Sequence, residues 1–217
     1  AMQQLTLVQK LAVAVIPVLY AITLHEVAHG WVARRFGDRT AEMLGRLTVN
    51  PLKHVDPVGT VVVPALSLML GGFLFGWAKP VPVSVRNLRN PRRDMILVAA
   101  AGPVSNLLMA VFWAVVARTV LALGIDGSAA VFLLGMAQVG VLINVILAVF
   151  NMFPLPPLDG GRVVAGLLPP AQAARFEQLE KYGLIIILAL LFTGVLWRLL
   201  GPIMSFVNDL VLTVAGF

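Results

Sequence analysis

Apolar residues dominate four long runs, about 5–36, 95–123, 129–153 and 182–217. A helix needs roughly 20 such residues to cross a bilayer whose hydrocarbon core is ~30 Å thick. In lipid every main-chain N–H and C=O must be satisfied within the protein, which leaves helices and closed barrels as spanning structures. The runs are far longer than the roughly 10 residues of a barrel strand. Of the 217 residues, 59% are hydrophobic and 12% charged, against about 25% charged in a soluble domain. The expected fold is therefore an all-α polytopic membrane protein, one domain over residues 1–217, with a core of about 5–168 and C-terminal membrane segments over about 182–217.

The net charge of +6 does not point to nucleic acid, because the basic residues flank apolar runs instead of sharing one polar face. Arg39, Arg46 and Lys53 follow the first run, and Lys79, Arg86, Arg89, Arg92 and Arg93 precede the 95–123 run. Basic loops lie on the cytoplasmic side, so both linkers are expected there, with the N-terminus and the acidic linker at Asp126 outside. The apolar stretch between the two linkers, about 58–76, then cannot cross. It is drawn as a re-entrant dip turning at Gly71 and Gly72, an arrangement tolerated only where protein or water covers the backbone. This gives five to six membrane segments in all. FLFGWAKPVPVSV, residues 73–85, has prolines at alternate positions and reads as a short β-type edge or hairpin near the inner face, open to an extended peptide.

Chemistry enters with HEVAHG, residues 25–30. Histidines at i and i+4 project from one helix face and can hold one zinc ion, with the intervening glutamate placed to take a proton from metal-bound water. The same pattern arises by chance in soluble chains. Here it lies in an apolar run, where unpaired ionisable groups cost several kcal/mol and are functional candidates by default. His25 is nine residues inward of Arg34, or roughly 14 Å at about 1.5 Å per helical residue. With no cysteine in the chain, a metal here needs His and carboxylate ligands.

A catalytic zinc takes three protein ligands and keeps one position open. Arg35 stands where a longer HExxHxxGxxH motif would place its third histidine, and Glu42 and His54 lie in a polar linker. Asp159 in PLPPLDGG is the strongest candidate, because the prolines break the helix at the end of a span and expose backbone there. The bland alternative is a turn residue in an Asp-Gly bend.

HEVAHG in one span and NMFPLPPLDGG ending a later one together resemble the site-2 protease family of membrane-embedded zinc metalloproteases. The resemblance continues through GRLTVNPLKHVDPVGT, FGWAKPVPV and AGPVSN, covers roughly residues 20–200, and is to the compact prokaryotic branch without a PDZ domain. It implies that His25, His29 and Asp159 hold one Zn2+, that Glu26 is general base and acid, and that Asn151 stands near the scissile carbonyl. His54 resembles a motif residue able to approach the site, with the turn before Asp56-Pro57 as its structural alternative; Asn151 likewise has an alternative as a helix-ending amide. Gly102, Pro103 and Asn106 are read as structural support for the site, the small residues bringing two spans close and the amide able to bond across them. The implied activity is hydrolysis of a peptide bond within or near a transmembrane segment of a membrane-protein substrate, in a prokaryotic inner membrane, with the site open to the cytoplasm. The competing readings are a zinc transporter, which would be expected to offer a second polar site along its path where the 95–123 run has no His or acidic residue, and a non-proteolytic relative, for which no catalytic residue is missing.

Overall fold

The computed structural model describes residues 6–56, 59 and 79–217. Most of the apolar 58–76 stretch, including the turn expected at Gly71 and Gly72, and the FLFGWA part of the extended segment lie outside those residues.

The first helix, α1, spans Leu7–Arg35. Thr6 caps it reciprocally: its hydroxyl accepts from the Gln9 N–H at 3.3 Å and its own N–H donates to the Gln9 side chain at 2.9 Å. Arg34 and Arg35 sit in the last turn, where cations meet the negative end of the helix dipole. Gly37, with φ of 111°, then turns the chain away in a conformation that side-chain-bearing residues avoid.

After α1 come a short helix α2, Thr40–Met43, and a single 3-10 turn over Pro51–Lys53. The described chain resumes as an extended segment over 79–84 and a second 3-10 turn, Val85–Asn87. No strand occurs among the described residues. Helix α3 covers Pro91–Ala122, α4 Gly127–Asn151, α5 Asp159–Leu167, α6 Pro170–Glu177, α7 Glu180–Phe192 and α8 Val195–Ala215.

Four of these, α1, α3, α4 and α8, are long and apolar enough to cross a membrane. The protein is an integral membrane protein with an all-helical described fold. Helices α1, α3 and α4 pack mutually, α5 lies on α3, and α8 closes against α3 and α4. Small residues set the spacing: Ala21, Ala110, Ala114 and Ala137 are fully or almost fully buried, and Gly140 on α4 lies against the Trp113 ring on α3. Close approach of this kind drives helix association where lipid removes the hydrophobic effect.

Sequence reading divides the last apolar region at Arg198 and Gly201-Pro202, and the structure divides it elsewhere. The break falls at Thr193 and Gly194, whose φ is 73°, and α8 runs straight through Arg198, Gly201 and Pro202. A left-handed glycine ends a helix outright, whereas proline in a membrane helix is tolerated when neighbours cover the freed carbonyl.

Two tethers hold α5 in place. Arg92, in the first turn of α3, donates from Nε to the Gly166 carbonyl at 2.8 Å and from Nη2 to the Leu167 carbonyl at 3.2 Å and to that of Leu168. These are the open carbonyls at the end of α5, which no intrahelical donor reaches. At the other end Gly183 of α7 lies against the Pro156 carbonyl so closely that a side chain would collide with it.

Candidate metal centre

The i and i+4 spacing of HEVAHG places His25 and His29 one turn apart on the face of α1 that meets α3. Both are buried, and their rings meet edge to face, 4.7 Å apart. Asp159 opens α5 and is buried beside them. Gly160 and Gly161 let this turn fold back on the end of α4: a side chain at either would strike the main chain of residues 152–156.

His25 Nε2 and His29 Nε2 are 3.1 Å apart, and each is 3.2 Å from Asp159 Oδ2. The opposite ring nitrogens fix what these atoms are. His29 Nδ1 lies 2.7 Å from the Val98 carbonyl, which only accepts, so Nδ1 carries the proton. His25 Nδ1 donates likewise to Asn106 Oδ1 at 2.6 Å. In the neutral rings both Nε2 atoms therefore present lone pairs, and they face a buried carboxylate oxygen that has no hydrogen-bond donor among the described residues. Three acceptors converging with no hydrogen between them call for a cation.

The spacing suits zinc. Edges of 3.1–3.2 Å correspond to three corners of a tetrahedron of radius ~2.0 Å, the range of Zn–N and Zn–O bonds. His25, His29 and Asp159 form a group able to hold a metal ion among the described residues. Gly102 makes the approach possible: a β-carbon there would lie 2.6 Å from Cε1 of both histidines.

Glu26 stands next to the pair and is only partly buried. Its Oε2 accepts the Val81 N–H at 2.7 Å. Pro80 and Pro82 have no N–H, so Val81 is the one donor that this part of the extended segment offers. The segment is itself anchored by Asp38, which accepts from the Ser84 N–H at 2.6 Å, the Thr40 N–H at 3.0 Å and the Asn87 amide at 3.0 Å. Burial pushes the Asp38 carboxyl up, but these donors and the Thr40 hydroxyl outweigh it and hold the group below the ordinary aspartate range.

The triad, Glu26, the Val81–Val83 stretch and Asn151 share a cavity of about 860 Å³. Its outer wall carries Arg92, Arg162, Glu177 and Glu180. Asn151 lines the cavity while its amide donates to the Leu147 carbonyl one turn back at 2.9 Å. His54 does not line it: the ring is buried, with Nε2 at 2.9 Å from the Thr48 carbonyl.

Sequence reading takes Asn106 as an amide able to bond across two closely packed spans, and it does not single out Asn144, although an amide in an apolar run is a signal in its own right. The Val98 carbonyl and the Val81 N–H left no trace in residue type and emerge only from the fold.

The sequence profile of Peptidase family M50 matches residues 13–134 and 121–194. The chain is 41% identical over 201 residues to YwhC of Bacillus subtilis (strain 168), designated a zinc metalloprotease, covering 91% of this chain and 88% of that protein. It is 34% identical to Rip2 of Mycolicibacterium smegmatis, also so designated, over 83% of this chain and 66% of the relative. The match to RseP of Salmonella typhimurium (strain 14028s), a regulator of sigma-E protease, is 34% over 50% of this chain and 25% of the relative. No solved structure matches the chain. Family profile and relatives together place this chain in Peptidase family M50, the site-2 protease family of membrane zinc metalloproteases.

Proposed function

We propose that this metalloprotease cuts a membrane-protein substrate within or beside a transmembrane segment, with His25, His29 and Asp159 holding one zinc ion and Glu26 moving the proton. The observation that carries the reading is the convergence of three buried acceptor atoms beside a carboxylate, in a cavity enclosed by helices long enough to span.

When bound, zinc supplies a Lewis acid that brings a water's pKa toward neutrality and polarises a carbonyl. Glu26 accepts the proton of the attacking water and returns it to the leaving amide nitrogen. The Val81 N–H, held on Oε2, keeps the carboxylate turned into the cavity. Asn151, on the same cavity wall, is placed to donate to the scissile carbonyl in exchange for its bond to Leu147. His54, bonded to the Thr48 carbonyl, fits the role of shaping its loop better than contact with substrate.

A substrate helix hides its peptide bonds in i to i+4 hydrogen bonds and must unwind before cleavage. The Val81 carbonyl and Val83 N–H face no hydrogen-bond partner among the described residues and line the cavity. They suit main-chain pairing with an extended peptide. The reading also puts the cavity mouth on the cytoplasmic side of a prokaryotic inner membrane. Its support is the set of basic residues at that end, Arg34, Arg35, Lys79, Arg89 and Arg92 among them, against Asp126 at the other.

The test is cleavage of a panel of single-span substrates by purified protein in liposomes, with bound zinc measured in parallel. Cleavage by wild type, lost with Glu26→Gln while zinc stays bound, is the expected result. Zinc binding with transmembrane zinc flux and no cleavage would replace the protease reading with a transporter.

A further inference from the structure

The two histidines are oriented by different means. His29 leans on a main-chain carbonyl of α3, which cannot change its role. His25 leans on a side-chain amide, which could turn either its oxygen or its nitrogen to the ring. What decides the direction is a second amide deeper in the bundle.

Asn106 on α3 and Asn144 on α4 are both fully buried. Asn144 Nδ2 donates to the Gly140 carbonyl one turn back at 2.8 Å, so its Oδ1 points away from α4. That oxygen accepts from Asn106 Nδ2 at 2.8 Å. The same Nδ2 donates its other hydrogen to the Ala21 carbonyl at 3.0 Å. Both facing groups only accept, so the nitrogen of Asn106 is committed to them and its oxygen is left for His25 Nδ1 at 2.6 Å. Ala21 and His25 are one turn apart on the same face of α1, which lets one amide bridge them.

We infer that Asn144 and Asn106 form an amide relay that sets the tautomer of His25, and that both are positioning residues for the metal centre. The relay rests on the ligand assignment proposed above. Running from α4 through α3 to α1, it forces the proton onto His25 Nδ1 and leaves Nε2 as a lone pair beside Asp159. It does so inside an apolar bundle, where an amide left unpaired costs about 1–3 kcal/mol. Every polar hydrogen of Asn106 has a partner. A cluster that served packing alone would not need its oxygen aimed at the one nitrogen whose protonation decides whether His25 can be a ligand.

The experiment compares wild type, Asn106→Leu, Asn106→Asp, Asn144→Leu and His25→Ala as full-length proteins in detergent. It reads zinc affinity by chelator competition, the His25 tautomer by 15N NMR of histidine-labelled apo protein, and helix content. Partners that orient metal ligands are worth about 10- to 100-fold in metal affinity. Asn106→Leu is expected to lose that much and to show both His25 tautomers. Asn106→Asp, which keeps an acceptor for Nδ1, is expected to recover most of the affinity. Asn144→Leu leaves Asn106 free to turn over and is expected to lose less than Asn106→Leu; it carries the test should Asn106→Leu fail to fold. Wild-type zinc affinity with a single His25 tautomer in both Leu variants would overturn the relay. Loss of zinc in His25→Ala, with no loss in the Leu variants, would sink the relay alone. Zinc bound unchanged by His25→Ala would sink the ligand assignment on which the relay rests.

Discussion

The Val81 N–H donates to Glu26 Oε2 at 2.7 Å, from a segment whose neighbouring residues, Pro80 and Pro82, have no N–H to give. The carboxylate proposed as the proton acceptor is thus held by a main-chain group on the wall of the same cavity.

Glu26→Gln keeps an oxygen for Val81 and removes the proton acceptor. Zinc stoichiometry and helix content are expected to match wild type while turnover falls by about 10²- to 10⁴-fold. Metal analysis alongside a single-turnover cleavage assay checks this, and turnover near the wild-type rate would rule Glu26 out as the base.

Val81→Pro deletes the N–H and keeps an extended backbone. Glu26 is then free to rotate, and kcat is expected to drop by on the order of tenfold, as a lost hydrogen bond to a charged group of about 1.5–3 kcal/mol allows. Zinc content should not change. A variant with unaltered kcat would show that the Val81 contact is incidental to turnover.

Gly102→Ala puts a methyl group against both imidazoles. The bundle is expected to stay helical in circular dichroism while bound zinc falls well below one ion per chain. Full zinc occupancy in this variant would mean that α1 and α3 can part without cost at the site.

Removing the metal with a chelator leaves three acceptor atoms facing one another. Because the ion binds the folded centre, its removal is expected to lower the melting temperature in detergent as well as abolish cleavage, and zinc should restore both. Cleavage that persists in metal-free protein would contradict the family's chemistry for this chain.

Asp38 predicts an acid limit. Its folded pKa is lowered, so its contribution is fully present above the ordinary aspartate value of about 4 and is lost as pH falls through the lower folded value. Asp38→Asn is expected to cost about 2 kcal/mol near neutrality, as loss of hydrogen bonds to a charged group would. It should also flatten the acid side of the stability profile. Thermal unfolding from pH 7 to pH 3 separates the two effects, and an unchanged acid slope would show that Asp38 does not govern it.

Sequence pattern reaches some of this organisation and not the rest. The histidines of HEVAHG are legible because helical periodicity alone brings i and i+4 together, and Asp159 because prolines and glycines at the end of a span need a reason to be there. The four spanning helices follow from apolar length. The break at Gly194 was misplaced because Pro202 is the stronger breaker in water and a weak one among packed helices. Asn106 and Asn144 were visible as residues, but their roles depend on which atom faces which, and that is settled only when α1, α3 and α4 meet. The backbone partners Val81 and Val98 could have been any residue type.

The tether between Arg92 and the end of α5 has a consequence for how the enzyme comes into being. The first two acceptors of the triad enter the membrane with α1, at positions 25 and 29, and the third arrives at position 159. It is then locked in register by a guanidinium at position 92 and, from behind, by Gly183 pressed on the Pro156 carbonyl. A chain still emerging from the ribosome can present two histidines and a glutamate to the bilayer, but it has no complete triad. On the proposed ligand assignment, the third acceptor lies 130 residues after the second, and the metal site cannot close until α5 has been made and docked on α3.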